Sequence, residues 1–254
     1  MNIGFIGTGK IASSIIYGIF KSKLKITKIY ISSRNRNIAK KLHLKFRKVK
    51  ICNNNQDIIN FSNIIILSVT PQVGLKILNH LSFNSSKTVI SLISTIKLHD
   101  LKRLIGSSKV CKAIPLPFIE NRLGPIIISP KNKVAKKLFS KLGSVIEINN
   151  EKTSYSFWST SSIMAAYYEI LNSTTNWLVR KKIKKKIATN YISELFLAYT
   201  QDALIKKNLG FKKLVKDSQT PNGLNMQVLK ELKKVKFYDK FIKSLDNVHK
   251  RIKR

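Results

Sequence analysis

A glycine turn near the start of the chain restricts its fold more than any other stretch. Ile3 to Ile6 is a short apolar run that predicts a buried strand; Gly7, Gly9 and Ala12 follow, and Ile15, Ile16 and Ile19 then recur at helical spacing. Strand, tight turn and helix with small residues at these places make a dinucleotide-binding turn. Gly7 permits the turn, Gly9 lets a pyrophosphate approach the backbone, and Ala12 lets the helix sit close to the strand. The first N–H groups of such a helix lack intrahelical acceptors and lie at the positive end of its dipole, so they suit a phosphate. A pattern this short also recurs by chance, and its meaning depends on what surrounds it.

What surrounds it is an alternation. Strands are expected at residues 27–32, 46–51, 64–69, 88–93, 110–114, 125–129 and 144–148, and helices at 10–21, 35–42, 56–61, 73–81, 98–105 and 134–142. The run from Ile64 to Val69 is broken only by Ser68, as in a parallel strand covered on both faces. Asn53, Asn54 and Asn55 turn the chain and supply a cap for the next helix. The pattern predicts an α/β fold, with a Rossmann-type doubly wound parallel sheet over residues 1–150. Strand signals then fade. Helical periodicity over 154–178, 187–209, 225–234 and 238–252 predicts a smaller all-helical domain over residues 151–254. These helices are apolar on more than one face, which suits a dimer interface and a monomer core equally.

Composition removes several classes. The chain has 254 residues and 43% hydrophobic content, enough for one large core or two smaller ones. No apolar run approaches the roughly 18 residues that span a bilayer. The first residues carry no basic flank and no small-residue cleavage site, so no secretory leader is expected. Cys52 and Cys111 are far apart and no metal-ligand spacing is present, which predicts a reduced, cytoplasmic protein without a metal site. The 48 Lys and Arg against 12 Asp and Glu give a net charge of +36. The basic residues are spread along the whole chain, with a short dense run from Arg180 to Lys186, and no basic-aromatic or zinc-finger pattern accompanies them. Nucleic-acid binding is therefore not expected as the main function, and the charge reads as proteome composition that still favours anionic ligands.

The predicted second strand ends at Ser32-Ser33-Arg34, with Arg36 close by. A site for the unphosphorylated cofactor carries an Asp or Glu near this point for the ribose hydroxyls, and this chain has none. Hydroxyls and an arginine fork match a 2′-phosphate instead, which predicts NADPH as cofactor. Plain surface charge in a basic protein is the competing explanation. Val69-Thr70-Pro71-Gln72 stands at the carboxyl end of a central strand, where open α/β sheets bind ligands.

With these residues in place, the sequence resembles the pyrroline-5-carboxylate reductase family, and more closely a short, divergent branch of it. The block from Ile3 to Ala12, Asn55, the Val69–Gln72 segment, Ile90-Ser91, Lys112-Ala113-Ile114-Pro115-Leu116-Pro117, Gly124 and Thr220-Pro221-Asn222-Gly223-Leu224-Asn225 fall in family order over nearly the whole chain. The resemblance implies NADPH-dependent hydride transfer to the C=N bond of 1-pyrroline-5-carboxylate, giving L-proline. It also implies a helical C-terminal domain that binds substrate and forms a homodimer or higher homo-oligomer. It assigns the pyrophosphate to Gly7, Thr8, Gly9, Lys10 and Ile11, the 2′-phosphate to Ser33 and Arg34, and the adenosine side to Asn55. Val69, Thr70 and Pro71 would border the nicotinamide ribose, and Thr220 and Asn225 would receive the substrate carboxylate.

The chain departs from the family pattern mainly in the substrate half. Thr70 stands where the family usually has Lys, and the Met-Pro-Asn-Thr-Pro segment is shortened to Ile114-Pro115-Leu116-Pro117. The family's Gly-Ser-Gly-Pro-Ala-Tyr helix start becomes Trp158-Ser159-Thr160-Ser161-Ser162-Ile163, and its Ser-Pro-Gly-Gly-Thr-Thr loop becomes Thr220 to Asn225. Two alternatives follow: a reductase of another small imine or ketone, and an inactive NADP-binding relative. A cyclic imine is easily protonated, so its reduction needs positioning more than a strong acid. His43, His80, His99 and His249 pair with no nucleophile in sequence and are expected to be structural or on the surface. Cys111 is expected to be a buried apolar residue, Trp158 and Trp177 core aromatics, and Glu169 solvent-facing or a dimer contact.

Overall fold

The structure is a computed structural model, and it describes residues 1–106 and 109–253. Strands β1 (Asn2–Ile6), β2 (Lys28–Ser32), β3 (Val49–Cys52), β4 (Ile64–Leu67), β5 (Thr88–Ser91), β6 (Val110–Ile114), β7 (Pro125–Ser129) and β8 (Ser144–Glu147) form one sheet in the order β3-β2-β1-β4-β5-β6-β7-β8. Helices α1 (Lys10–Lys21), α2 (Arg36–Lys45), α3 (Asn55–Phe61), α4 (Pro71–Leu78), α5 (Leu98–Ile105) and α6 (Lys133–Phe139) connect these strands. From β1 the chain builds outward through β2 to β3 on one side, and from β4 outward on the other. The order therefore reverses between β1 and β4, which pair in parallel with Ile6 opposite Leu67. That reversal opens a crevice at the carboxyl ends of the two strands, where such sheets bind ligands.

The core follows from the strand compositions. Ile3, Phe5, Ile29, Ile31, Ile64, Ile66 and Ile90 are buried with Ala12, Ile15, Ile16 and Ile19 of α1 in one cluster. Ile6, Ile65, Leu67 and Val89 turn to the opposite face and pack with residues of α3, α4 and α5. Successive side chains of a strand point to opposite faces, so continuous apolar strands fill both layers at once. Close packing also sets local sequence: a Cβ at Gly4 would come within 2.5 Å of Ile58 and Ser62, so β1 must be bare there for α3 to approach.

The expectation of a parallel sheet is corrected at one edge. β7 runs antiparallel to β6, with Ala113 opposite Ile128, and β8 then pairs in parallel with β7. Only the ten residues 115–124, containing a 3₁₀ turn at Pro117–Asn121, separate β6 from β7. A parallel crossover needs a dozen or more residues, so this connection returns the chain in the opposite direction.

The remaining helices are α7 (Glu151–Ser161), α8 (Met164–Arg180), α9 (Lys185–Ile205), α10 (Phe211–Asp217), α11 (Leu224–Lys234) and α12 (Phe237–Lys253). The expected helix at 154–178 is two helices, broken at Ser162 and Ile163, and α10 was not expected at all. The chain divides into two compact units inside α7: Met1–Trp158 with the end of α12 from His249 onward, and Ser159–Val248. In the second unit α8 packs along α9, where Tyr167, Phe196 and Tyr199 form a chain of edge-on ring contacts. Among the described residues no helix is long and apolar enough to cross a membrane.

Two expectations for single residues resolve differently. Cys111 is fully buried in β6, as expected, and burial pushes its thiol up to about 12. Trp177 is not a core aromatic: it is 51% exposed on α8, with the Lys181 ammonium 5.6 Å from its ring centroid. A helix that is apolar on several faces leaves some of them uncovered by a single chain.

Candidate active site

The crevice at the β1/β4 reversal is a cleft of about 600 Å³ lined by Gly7, Thr8, Gly9, Arg34, Asn35, Arg36, Asn37, Ser68, Val69, Thr70 and Val73. Three chain segments meet there, each leaving the carboxyl end of a neighbouring strand. The first is the glycine turn after β1. Gly7 has φ +102°, and a Cβ on it would lie 2.5 Å from the Ser68 carbonyl oxygen and 2.6 Å from Val69. Only glycine fits both the dihedral and the space. Gly9 is the opposite case, since a Cβ there would meet no protein atom within 4 Å. The open volume lies over the start of α1, where a pyrophosphate would face free N–H groups.

The second segment follows β2. Ser33 is half-buried, while Arg34, Asn35, Arg36 and Asn37 are exposed. Asn35 caps α2, its side-chain oxygen accepting the Ile38 N–H at 3.3 Å, and this fixes the turn from which Arg34 and Arg36 project. Among the described residues, no Asp or Glu lines the cleft. Two guanidinium groups without a carboxylate favour a phosphate over a ribose diol. The third segment follows β4: Val69 and Thr70 line the cleft, and Pro71 sits at the first position of α4 behind them.

Of the residues expected at the cofactor, the cleft thus brings together Gly7, Thr8, Gly9, Arg34, Val69 and Thr70. Lys10 opens α1 and faces a neighbouring hollow with Ser13, Ser14, Tyr17 and Lys41. Ile11 packs against the core, Ser33 stands beside Arg34, and Asn55 opens α3, where Asn54 accepts the Asp57 N–H. Thr220 and Asn225 belong to the second unit, Thr220 in the loop before α11 and Asn225 in its first turn; the Gly223 N–H donates to the Thr220 carbonyl and the Asn225 amide to the Ser218 carbonyl. Gly223 packs close to the Thr220 side chain, whose hydroxyl lies where a Cβ on Gly223 would stand.

Sequence reasoning missed the supports of the cleft. Lys112 in β6 is 1% exposed, and its ammonium donates to the carbonyls of Ser94 (3.0 Å) and Ile96 (2.8 Å) and to Glu151 Oε1 (3.0 Å). Glu151 in turn accepts the Leu98 N–H on both oxygens. Desolvation lowers the Lys112 pKa and Glu151 opposes it. The loop held in this way presses Ile93 and Ile96 against Gly74 of α4, beside Val69. A lone lysine in the apolar run Val110-Cys111-Lys112-Ala113-Ile114 was the available signal, because a buried ammonium must have partners.

Residues 2–95 match a family model described as NADP oxidoreductase, coenzyme F420-dependent, and residues 153–254 match one described as pyrroline-5-carboxylate reductase dimerisation. The chain is 22% identical to pyrroline-5-carboxylate reductase of Arabidopsis thaliana, over 92% of this chain and 88% of that one. It is 25% identical to the Haemophilus influenzae enzyme of the same name, over 77% and 75%. The fold matches 1-pyrroline-5-carboxylate reductase from Streptococcus pyogenes with TM-score 0.86 at 22% identity, covering 100% of this chain and 98% of that one. It also matches Plasmodium falciparum pyrroline carboxylate reductase, a structure with NADP bound, with TM-score 0.86 at 19% identity, covering 100% and 97%.

Proposed function

Because the chain belongs to the pyrroline-5-carboxylate reductase family, we propose that this oxidoreductase uses NADPH to reduce the cyclic imine 1-pyrroline-5-carboxylate to L-proline. The observation that carries the substrate is the match of residues 153–254 to that family's dimerisation model, joined to a cleft whose arginines and lack of carboxylates suit NADPH. When bound, NADPH would supply the hydride for the imine carbon, the nitrogen taking its proton from solvent or carrying it already as the iminium.

The chain's own contribution is placement. The N–H groups of the glycine turn hold the pyrophosphate, Ser33 and Arg34 hold the 2′-phosphate, and Asn55 attends the adenosine side. Val69, Thr70 and Pro71 would border the nicotinamide ribose. Thr220 and Asn225 receive the substrate carboxylate. Asn225 spends one amide hydrogen on Ser218, which fixes its carboxamide and leaves the other hydrogen for an anionic ligand. Orientation of this kind lowers the barrier without a strong acid. The family's dimerisation region implies homo-oligomerisation, and we take the active form as a homodimer or larger assembly. Two unpaired, buried cysteines suit a reducing cytoplasm.

Pure protein mixed with pyrroline-5-carboxylate and NADPH is expected to consume NADPH, followed by loss of absorbance, and to yield proline. Consumption with a different imine or ketone, but not with this one, would transfer the activity to that substrate. Tight NADPH binding without any turnover would mark an inactive relative.

A further inference from the structure

The glycine turn and the loop that carries Arg34 are joined by a closed ring of hydrogen bonds at one residue, Ser32. It is the last residue of β2 and is 7% exposed; Thr8, its partner in the turn, is 3% exposed. The Gly7 N–H donates to Ser32 Oγ at 3.0 Å. Thr8 Oγ1 donates to the Ser32 carbonyl oxygen at 2.7 Å. That bond uses the single hydroxyl hydrogen of Thr8, so in the 3.1 Å contact between the two hydroxyls Ser32 is the donor. Each hydroxyl donates once and accepts once, and the ring is complete. On the other side, Ser68 Oγ donates to the Gly7 carbonyl at 2.7 Å. Both polar groups of Gly7 are thereby held by serines at the ends of its two neighbouring strands.

The Thr8 hydroxyl is consumed inside the protein, so Thr8 offers a phosphate only its backbone. Ser32 lies next to Ser33 and Arg34, and its side chain reaches the turn that faces the pyrophosphate. We propose that Ser32 and Thr8 are positioning residues that couple the two phosphate-binding parts of the cleft. In this arrangement, holding the 2′-phosphate at Arg34 also sets the backbone that receives the pyrophosphate. The inference rests on the assignment of the cleft to NADPH and is independent of which imine is reduced. Its physical basis is that buried hydroxyls with all partners satisfied define one geometry, whereas removing one member leaves others unpaired. Two ligand groups that share such an element reinforce each other's binding.

The test is equilibrium binding of NADPH and NADH to the full chain without imine, with thermal melting of each protein alongside. Ser32→Ala and Thr8→Val are expected to weaken NADPH about tenfold and NADH only a few-fold, so that the preference for NADPH falls. Thr8→Ser, which keeps the hydroxyl, is expected to retain the wild-type preference within about twofold. If Ser32→Ala melts below the assay temperature, the Thr8 pair carries the test, because valine matches threonine in shape. Equal weakening of both cofactors, no weakening of either, or a Thr8→Ser protein that behaves like Thr8→Val would overturn the proposal. A cleft that binds neither cofactor in the wild type would instead defeat the NADPH assignment itself.

Discussion

At the scale of single residues, the cleft separates jobs that the sequence lists side by side. Arg34 is exposed and lines the cleft, so its guanidinium is available to a ligand at little structural cost. Arg34→Ala is expected to weaken NADPH about ten- to a hundredfold and to leave NADH nearly unchanged, in keeping with the loss of a charge-assisted hydrogen bond. Equal losses in a titration with both cofactors would show that Arg34 does not read the 2′-phosphate. Cys111 offers a prediction of another kind. Its thiol is raised to about 12 by burial, against an ordinary value of 9.0. Between these values the native state binds more protons than the unfolded state, so stability falls as pH rises through that window. The stability gap between wild type and Cys111→Ala should therefore be constant below pH 9 and shift by about 1 kcal/mol against the wild type by about pH 10, measured by urea unfolding. A gap independent of pH would mean the thiol ionises in the folded protein as in the unfolded chain.

At the scale of elements, the turn after β1, the loop after β2 and the start of α4 are placed by the strands that precede them, and a buried ion pair steadies the last of these. Lys112 and Glu151 tie β6, the loop after β5, the start of α5 and the root of α7 together within the first unit. A buried pair of this kind contributes little compared with a well-packed apolar substitute, but removal of one partner strands the other. Lys112→Met is expected to cost about 3 kcal/mol, and Lys112→Met with Glu151→Gln to recover much of that loss, read from urea midpoints. Additive losses in the double variant would show that the two groups do not act as a pair. The elements themselves were largely legible: α1, α5, β6 and β7 have the bounds their periodicity predicts. Periodicity failed where it carries no information, in the break at Ser162–Ile163 and in the direction of β7, which a ten-residue connection decides.

At the scale of the whole molecule, the net charge of +36 is spread over the surface, and the ligands of the proposed reaction are anions. Such a field speeds the encounter with anions and is screened within about 10 Å at 0.1 M salt. The association rate of NADPH in stopped flow is expected to fall several-fold between about 0.05 and 0.5 M NaCl, with a smaller change in the dissociation rate. A salt-independent association rate would leave the charge without a part in binding. The second unit exposes Tyr168, Trp177, Tyr199 and Phe211, and its match to a dimerisation model agrees with a surface that a single chain leaves uncovered.

The sequence alone determined the glycine turn, the alternation that makes it a Rossmann-type sheet, and the absence of a carboxylate after β2. Each of these is local, a matter of residue type and spacing within a few positions, and local physics writes them directly into the chain. Tertiary structure alone decided the exposure of Trp177, the partners of Lys112 and the use of the Thr8 hydroxyl. Ser32 lies 24 residues from Thr8, and Glu151 lies 39 from Lys112. Pairings at such separations depend on which strands become neighbours, and no pattern within a window of the sequence encodes that choice.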